Sequence, residues 1–86
     1  MHDLIFAPQA FNEYLEWFEE DKKSFKKINE LIKDIQRNGF SKGIGKPELL
    51  KHIKGYSRHI DHANRLIYSS DEKNNLHILS CKGHYI

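Results

Sequence analysis

A chain of 86 residues with 38% hydrophobic and 30% charged side chains can bury one core but not two, since a protein of this size hides only about 60% of its unfolded surface. One cysteine, Cys81, excludes an internal disulfide and a zinc site of paired cysteines, and without a leader-like start or an apolar run near the roughly 18 residues of a membrane span neither secretion nor membrane insertion is expected. The net charge of +2 divides at Phe40 into six Lys/Arg against eight Asp/Glu before it and eight against four after it, with five of the six histidines in the later half, a balance that suits phosphate contact as well as it suits a solvated basic face.

Leu4-Ile5-Phe6 reads as a short strand, and Pro8 is well placed in the first turn of a helix, where no intrahelical donor is lost. Phe11, Tyr14, Leu15 and Phe18 recur at i, i+3, i+4 and i+7, which predicts an aromatic stripe turned to the core, with Glu13, Glu16 and Glu19 in water. Asp21 offers an N-cap for a second helix carrying Phe25, Ile28, Leu31, Ile32 and Ile35, ended by Asn38-Gly39. Two helices are favoured, and one kinked helix from Pro8 to Asn38 stays open. Ser41 to Pro47, with Gly43 and Gly45, predicts an irregular loop. Beyond it come strand-like runs at Leu49 to Ile53, Tyr56 to Ile60, Arg65 to Ser69 and Leu76 to Lys82, separated by turn residues. The order predicts one α+β domain over residues 1–86: two N-terminal helices packed on one face of a mainly antiparallel sheet, the other face free.

The later half holds a carboxylate among cations: Glu48 between Lys46 and Lys51, then Arg58, His59, Arg65 and His84-Tyr85. Cutting RNA without a metal needs a base for the 2′-hydroxyl, cations for the charge that develops on phosphorus, and an acid for the leaving 5′-oxygen. Glu48, Arg65 with Lys51, and His84 fit those roles, although lone Glu, Lys and Arg are usually just solvated. His59 and His62 lack companions at ligand spacing, so no metal site and no cofactor are expected.

Four blocks, Lys26-Lys27-Ile28-Asn29-Glu30-Leu31-Ile32-Lys33-Asp34, Gly45-Lys46-Pro47-Glu48 with Leu50-Lys51-His52, Arg65-Leu66-Ile67-Tyr68 and His84-Tyr85, together resemble the YoeB toxins over nearly the whole chain. The resemblance implies a RelE-like fold and a toxin that enters the ribosomal A site and cuts mRNA in the cytoplasm. It also implies a YefM-type antitoxin as partner and a homodimer. It implies Glu48 as general base, Arg65 as phosphate-binding arginine, His84 as general acid and Tyr85 as a neighbouring catalytic or base-stacking residue, with Lys51 near the scissile phosphate. Substrate contacts are expected from Arg58 and His59. Three departures stand out. Gly55-Tyr56-Ser57-Arg58-His59-Ile60 is one residue shorter than the family's Gly-Phe-Trp-Ser-Arg-Arg-Ile, with His59 in place of the second arginine; protonated His59 could still donate to phosphate, weakening as pH rises through the imidazole range. Ala63-Asn64 replaces Glu-His, and Ile86 follows the usual terminal tyrosine. A non-catalytic ParE-like toxin of the same fold, acting on a protein target, is the alternative; a plain RNA-binding module is a third reading.

Overall fold

The computed structural model describes residues 3–83. In chain order its elements are β1 (Leu4–Phe6), α1 (Pro8–Glu20), α2 (Lys22–Asn38), β2 (Glu48–Leu49), β3 (Tyr56–His59), β4 (Arg65–Ser70) and β5 (Leu76–Ser80). The strands form one sheet in the order β1-β5-β4-β3-β2. All neighbours are antiparallel except β1, which runs parallel to β5. That pairing follows from connectivity, because the chain leaves β1 through both helices and re-enters at the far edge. The expected α+β arrangement is therefore present, with a mixed sheet.

Asp21 decides between one helix and two. Its backbone is extended, its N–H donates to Trp17 O to close α1, and its carboxylate accepts from the N–H groups of Lys23 and Ser24 at 3.1 and 3.4 Å to open α2. One residue thus satisfies orphan groups of two helix ends, and the kinked single helix is excluded. Gly39, at φ +95°, terminates α2 in a conformation that a side chain would strain.

Of the aromatic stripe predicted for α1, only Tyr14 is turned toward the core. Phe11, Leu15 and Phe18 stand 49%, 46% and 43% exposed, whereas Ala10 and Trp17 are buried and Tyr14 is half-buried. Trp17 sets the rotation: its indole N–H donates to Cys81 O at 2.7 Å, a bond that only the sheet-facing side of α1 can make. Phe11 and Phe18 pack at the flanks instead, edge-on to Phe6 and Phe25, and the Lys22 ammonium covers the Phe18 ring. Glu13 likewise leaves water, since its carboxylate accepts the Cys81 N–H at 2.7 Å. α2 follows its periodicity: Ile28, Leu31, Ile32 and Ile35 are buried against Leu66, Tyr68, Leu76 and Ile78 of the sheet.

β2, β3 and β5 are shorter than their predicted runs, whereas β4 extends one residue further, to Ser70. β2 contains two residues, and the predicted strand from Leu49 to Ile53 is mostly the bend of a hairpin closed by Leu50 N–H to Gly55 O at 2.9 Å.

Candidate active site on the sheet face away from the helices

Strand register assigns each candidate side chain to a face. Glu48 pairs with Ser57, and His59 pairs with Arg65. Directly opposed residues share a face and residues two apart on a strand share it too, so Glu48, Ser57, His59 and Arg65 project together, away from the helices. Nε2 of His59 lies 3.7 Å from Oε1 of Glu48, with the two side chains 31% and 66% exposed. A carboxylate and two potential cations are thus gathered on three adjacent strands.

Arg65 is held at the mouth of the β3–β4 turn. Its Nη1 donates to the Asp61 carbonyl at 3.0 Å and reaches the Asn64 carbonyl at 3.3 Å. Asp61 organises that turn, accepting from the Ala63 and Asn64 N–H groups at 2.8 and 2.7 Å and from the Asn64 amide. Desolvation pushes the Asp61 carboxyl up, but the bonds from Ala63 and Asn64 outweigh it and hold the group below its ordinary range. Asn64 also accepts the Gly83 N–H at 2.8 Å, while Gly83 O accepts the Arg65 N–H at 3.0 Å. Where Ala63-Asn64 departs from the family's Glu-His, the asparagine is therefore the pin that fastens the chain at Gly83 beside Arg65. His84, Tyr85 and Ile86 lie outside the described residues.

Arg58 does not join this group. Adjacent strand residues point to opposite faces, and Arg58 points toward α2, fully buried. Its guanidinium pairs with Asp34 at 2.5 Å, donates to the carbonyls of Ile44, Gly39 and Lys42, and through Nε to the Tyr68 hydroxyl at 2.8 Å. Asp34 in turn accepts the Ile44 N–H at 3.0 Å. Desolvation raises the Asp34 carboxyl, and the bonds from Arg58, Ile44 and Asn38 more than reverse it. The substrate contact expected of Arg58 is thus corrected: every donor of its head group is spent inside the fold, shaping the loop that delivers Glu48. Gly43, at φ +124°, lies so close that a Cβ there would overlap the Asp34 carboxylate.

Lys51 is exposed at the tip of the β2–β3 hairpin, just beyond Glu48. Tyr56 faces the helices, stacked on Tyr68 with centroids 5.7 Å apart. A surface cavity of about 610 Å³ beside Lys23, Lys27, Glu30 and Asp61 contains none of the candidate residues. Among the described residues no group of three or more His, Cys, Asp or Glu side chains could hold a metal ion, and no helix is long and apolar enough to cross a membrane.

Residues 6–85 match the family model described as YoeB-like toxin of bacterial type II toxin-antitoxin system. The chain belongs to the YoeB toxin family. It is 46% identical over 84 residues to Toxin YoeB of Escherichia coli K12, covering 95% of this chain and 98% of that one. Toxin RelK of Mycobacterium tuberculosis is 40% identical over 87 residues, covering 99% and 100%. Among solved structures, the YoeB dimer from Staphylococcus aureus superposes with a TM-score of 0.88 at 52% identity, covering 96% and 97%. The YoeB/ParE toxin from Agrobacterium tumefaciens gives 0.89 at 32%, covering 96% and 99%. The two-helix layer on a sheet is the YoeB/RelE-like fold, and the protein is a toxin of a type II toxin–antitoxin system.

Proposed function

We propose that residues 1–86 act as one catalytic domain, a cytoplasmic, ribosome-dependent endoribonuclease that cuts mRNA in the A site without a metal. The observation that carries this reading is the strand register that sets Glu48, His59 and Arg65 on one face, with the chain fastened at Gly83 next to Arg65. Glu48 takes the proton of a 2′-hydroxyl, and the freed oxygen attacks the adjacent phosphorus. Arg65, with Lys51 at the hairpin tip, offsets the charge that builds on the phosphoryl oxygens. His84 gives a proton to the departing 5′-oxygen, leaving a 2′,3′-cyclic phosphate, and Tyr85 stacks on a displaced base. A few small side chains on an exposed face leave alignment of the RNA to the ribosome, so free RNA is a poor substrate.

An antitoxin of the YefM type is the proposed partner, supported by the Staphylococcus aureus neighbours solved as YoeB-YefM complexes, and a homodimer by the YoeB dimer from the same organism. An acidic antitoxin segment laid on Arg65 and Lys51 would displace RNA phosphate, with salt weakening the exposed rim of that contact. The rival reading, a ParE-like toxin acting on a protein, is favoured by the name of the Agrobacterium neighbour, but it gives Glu48 no task.

Primer extension on mRNA in translating ribosomes tests the proposal. The wild type should leave cuts at A-site codons, and Glu48→Gln should slow cutting by about 10²- to 10⁴-fold with the fold intact. Undiminished cutting by the Gln variant removes Glu48 as base; growth arrest with no cut mRNA favours the ParE-like reading.

A further inference from the structure

We propose that His59 is a positioning residue for Glu48, its imidazolium holding the carboxylate that serves as base. The inference rests on the cleavage reading above and deepens it, by making the base's alignment depend on the protonation of a neighbour. His59 lies two residues along β3 from Ser57, the partner of Glu48, so the imidazole and the carboxylate fall on one face. Among the described residues His59 is the one side chain within ion-pair reach of Glu48, at 3.7 Å. Its main chain is fixed by an N–H donated to Gly45 O at 2.7 Å, three residues before Glu48. The imidazole is therefore anchored to the same loop whose carboxylate it faces.

Glu48 itself is poorly constrained, 66% exposed on a strand of two residues. A carboxylate so placed samples several rotamers, and a base misaligned by about 1 Å can lose a large part of its rate. A cation at 3.7 Å narrows that choice by charge attraction, which favours the rotamers that keep the carboxylate facing the ring. Among the described residues the charged groups facing His59 are Glu48 from β2 and its cross-strand partner Arg65 from β4, with Lys46 exposed in the adjoining loop. The helices pack on the opposite face. Protonated His59 thus secures Glu48; neutral His59 holds it less tightly.

The test compares purified wild type, His59→Arg and His59→Gln in single-turnover cutting of ribosome-bound mRNA between about pH 6 and about pH 8, the span in which imidazole ordinarily changes charge. Taking the ratio of wild type to His59→Arg cancels every limb that the two share, including those of the ribosome and of His84. The saturating rate of the wild type should fall roughly five- to tenfold relative to His59→Arg as pH rises, while the ratio of half-saturating toxin concentrations stays level. His59→Gln, a neutral donor, should match the wild type at the upper end and lag at the lower end, and this comparison suffices alone if the Arg variant does not fold. A flat ratio of saturating rates overturns the inference and leaves the cleavage reading standing. So does a change confined to the half-saturating concentration, which would make His59 a phosphate contact instead. Absence of cutting by the wild type overturns both.

Discussion

Arg58 and His59 stand side by side in sequence and in opposite environments in the fold. One is a cation sealed among three loop carbonyls, a carboxylate and a tyrosine hydroxyl; the other is a half-exposed ring beside Glu48. Burial of Arg58 is tolerable only because each donor finds an acceptor, and Tyr68 extends the network by donating to Phe40 O at 2.6 Å. Arg58→Ala would leave Asp34 without its counter-ion and the carbonyls of Gly39, Lys42 and Ile44 without a donor. We expect a loss of about 3–5 kcal/mol, the range for breaking a buried pair, read as a lowered urea midpoint. His59→Ala, on the surface, should stay within about 1 kcal/mol of the wild type. Unchanged stability for Arg58→Ala together with lost cutting would return that arginine to the substrate.

At the scale of elements, the sequence pattern located both helices and every strand but β2, yet not the rotation of α1. The predicted stripe of Phe11, Tyr14, Leu15 and Phe18 and the stripe of Ala10, Tyr14 and Trp17 share Tyr14 and both have helical spacing, and hydrophobicity alone ranks the larger one inward. What turns α1 the other way is tertiary: the indole N–H of Trp17 needs the carbonyl of Cys81, 64 residues away in sequence. Such a bond leaves no local mark. The energetic consequence is a reversal of the sensitivities that the sequence predicts. Trp17→Ala should cost about 3–5 kcal/mol through lost burial and an orphaned Cys81 carbonyl, whereas Leu15→Ala, at a position 46% exposed, should cost under about 1 kcal/mol. Equal losses in urea melts would mean that α1 sits in the rotation its aromatic spacing suggests. The same limit applies to the strands, where the alternation rule says that Arg58 and His59 face opposite ways but not which one faces the core. The clue lay in Asp34 on α2 and in glycines at 43 and 45, a carboxylate and a loop able to close over a buried guanidinium, and it becomes readable only with the topology.

Taken as a whole, the molecule folds its charge asymmetry partly back on itself. Arg58 of the basic half is neutralised by Asp34, and Lys82 by Glu16 and Glu20 at 2.8 and 3.0 Å, so the cations left for an anionic partner are fewer than the sequence suggests. Glu48 and Arg65 stand out as candidates from their types and family spacing; that they share a face with His59 follows only from register. Hydrogen-bonded carboxylates, one of them bridging the two halves, also give the fold a direction of response to acid. Asp21 is held below its ordinary range by the Ser24 hydroxyl and N–H, and Asp71 far below it by the His77 ring at 2.7 Å and the Asn75 N–H. Asp34 and Asp61 are lowered as well, their hydrogen bonds overcoming desolvation. A carboxyl whose folded pKa lies below its unfolded value binds fewer protons when folded, so its stabilisation is complete above the unfolded value near 3.8 and disappears as pH falls through the folded one. Lys82, raised by its bonds to Glu16 and then Glu20, has the opposite sign and withdraws stability only above the ordinary lysine range. The urea midpoint should therefore be level between about pH 5 and about pH 8 and drop steadily below about pH 4. Asp71→Asn, which removes the most depressed carboxyl, should lower the midpoint at neutral pH and flatten the acid slope. A midpoint that holds constant down to about pH 2.5 would mean that these carboxylates are no better solvated by the fold than by water.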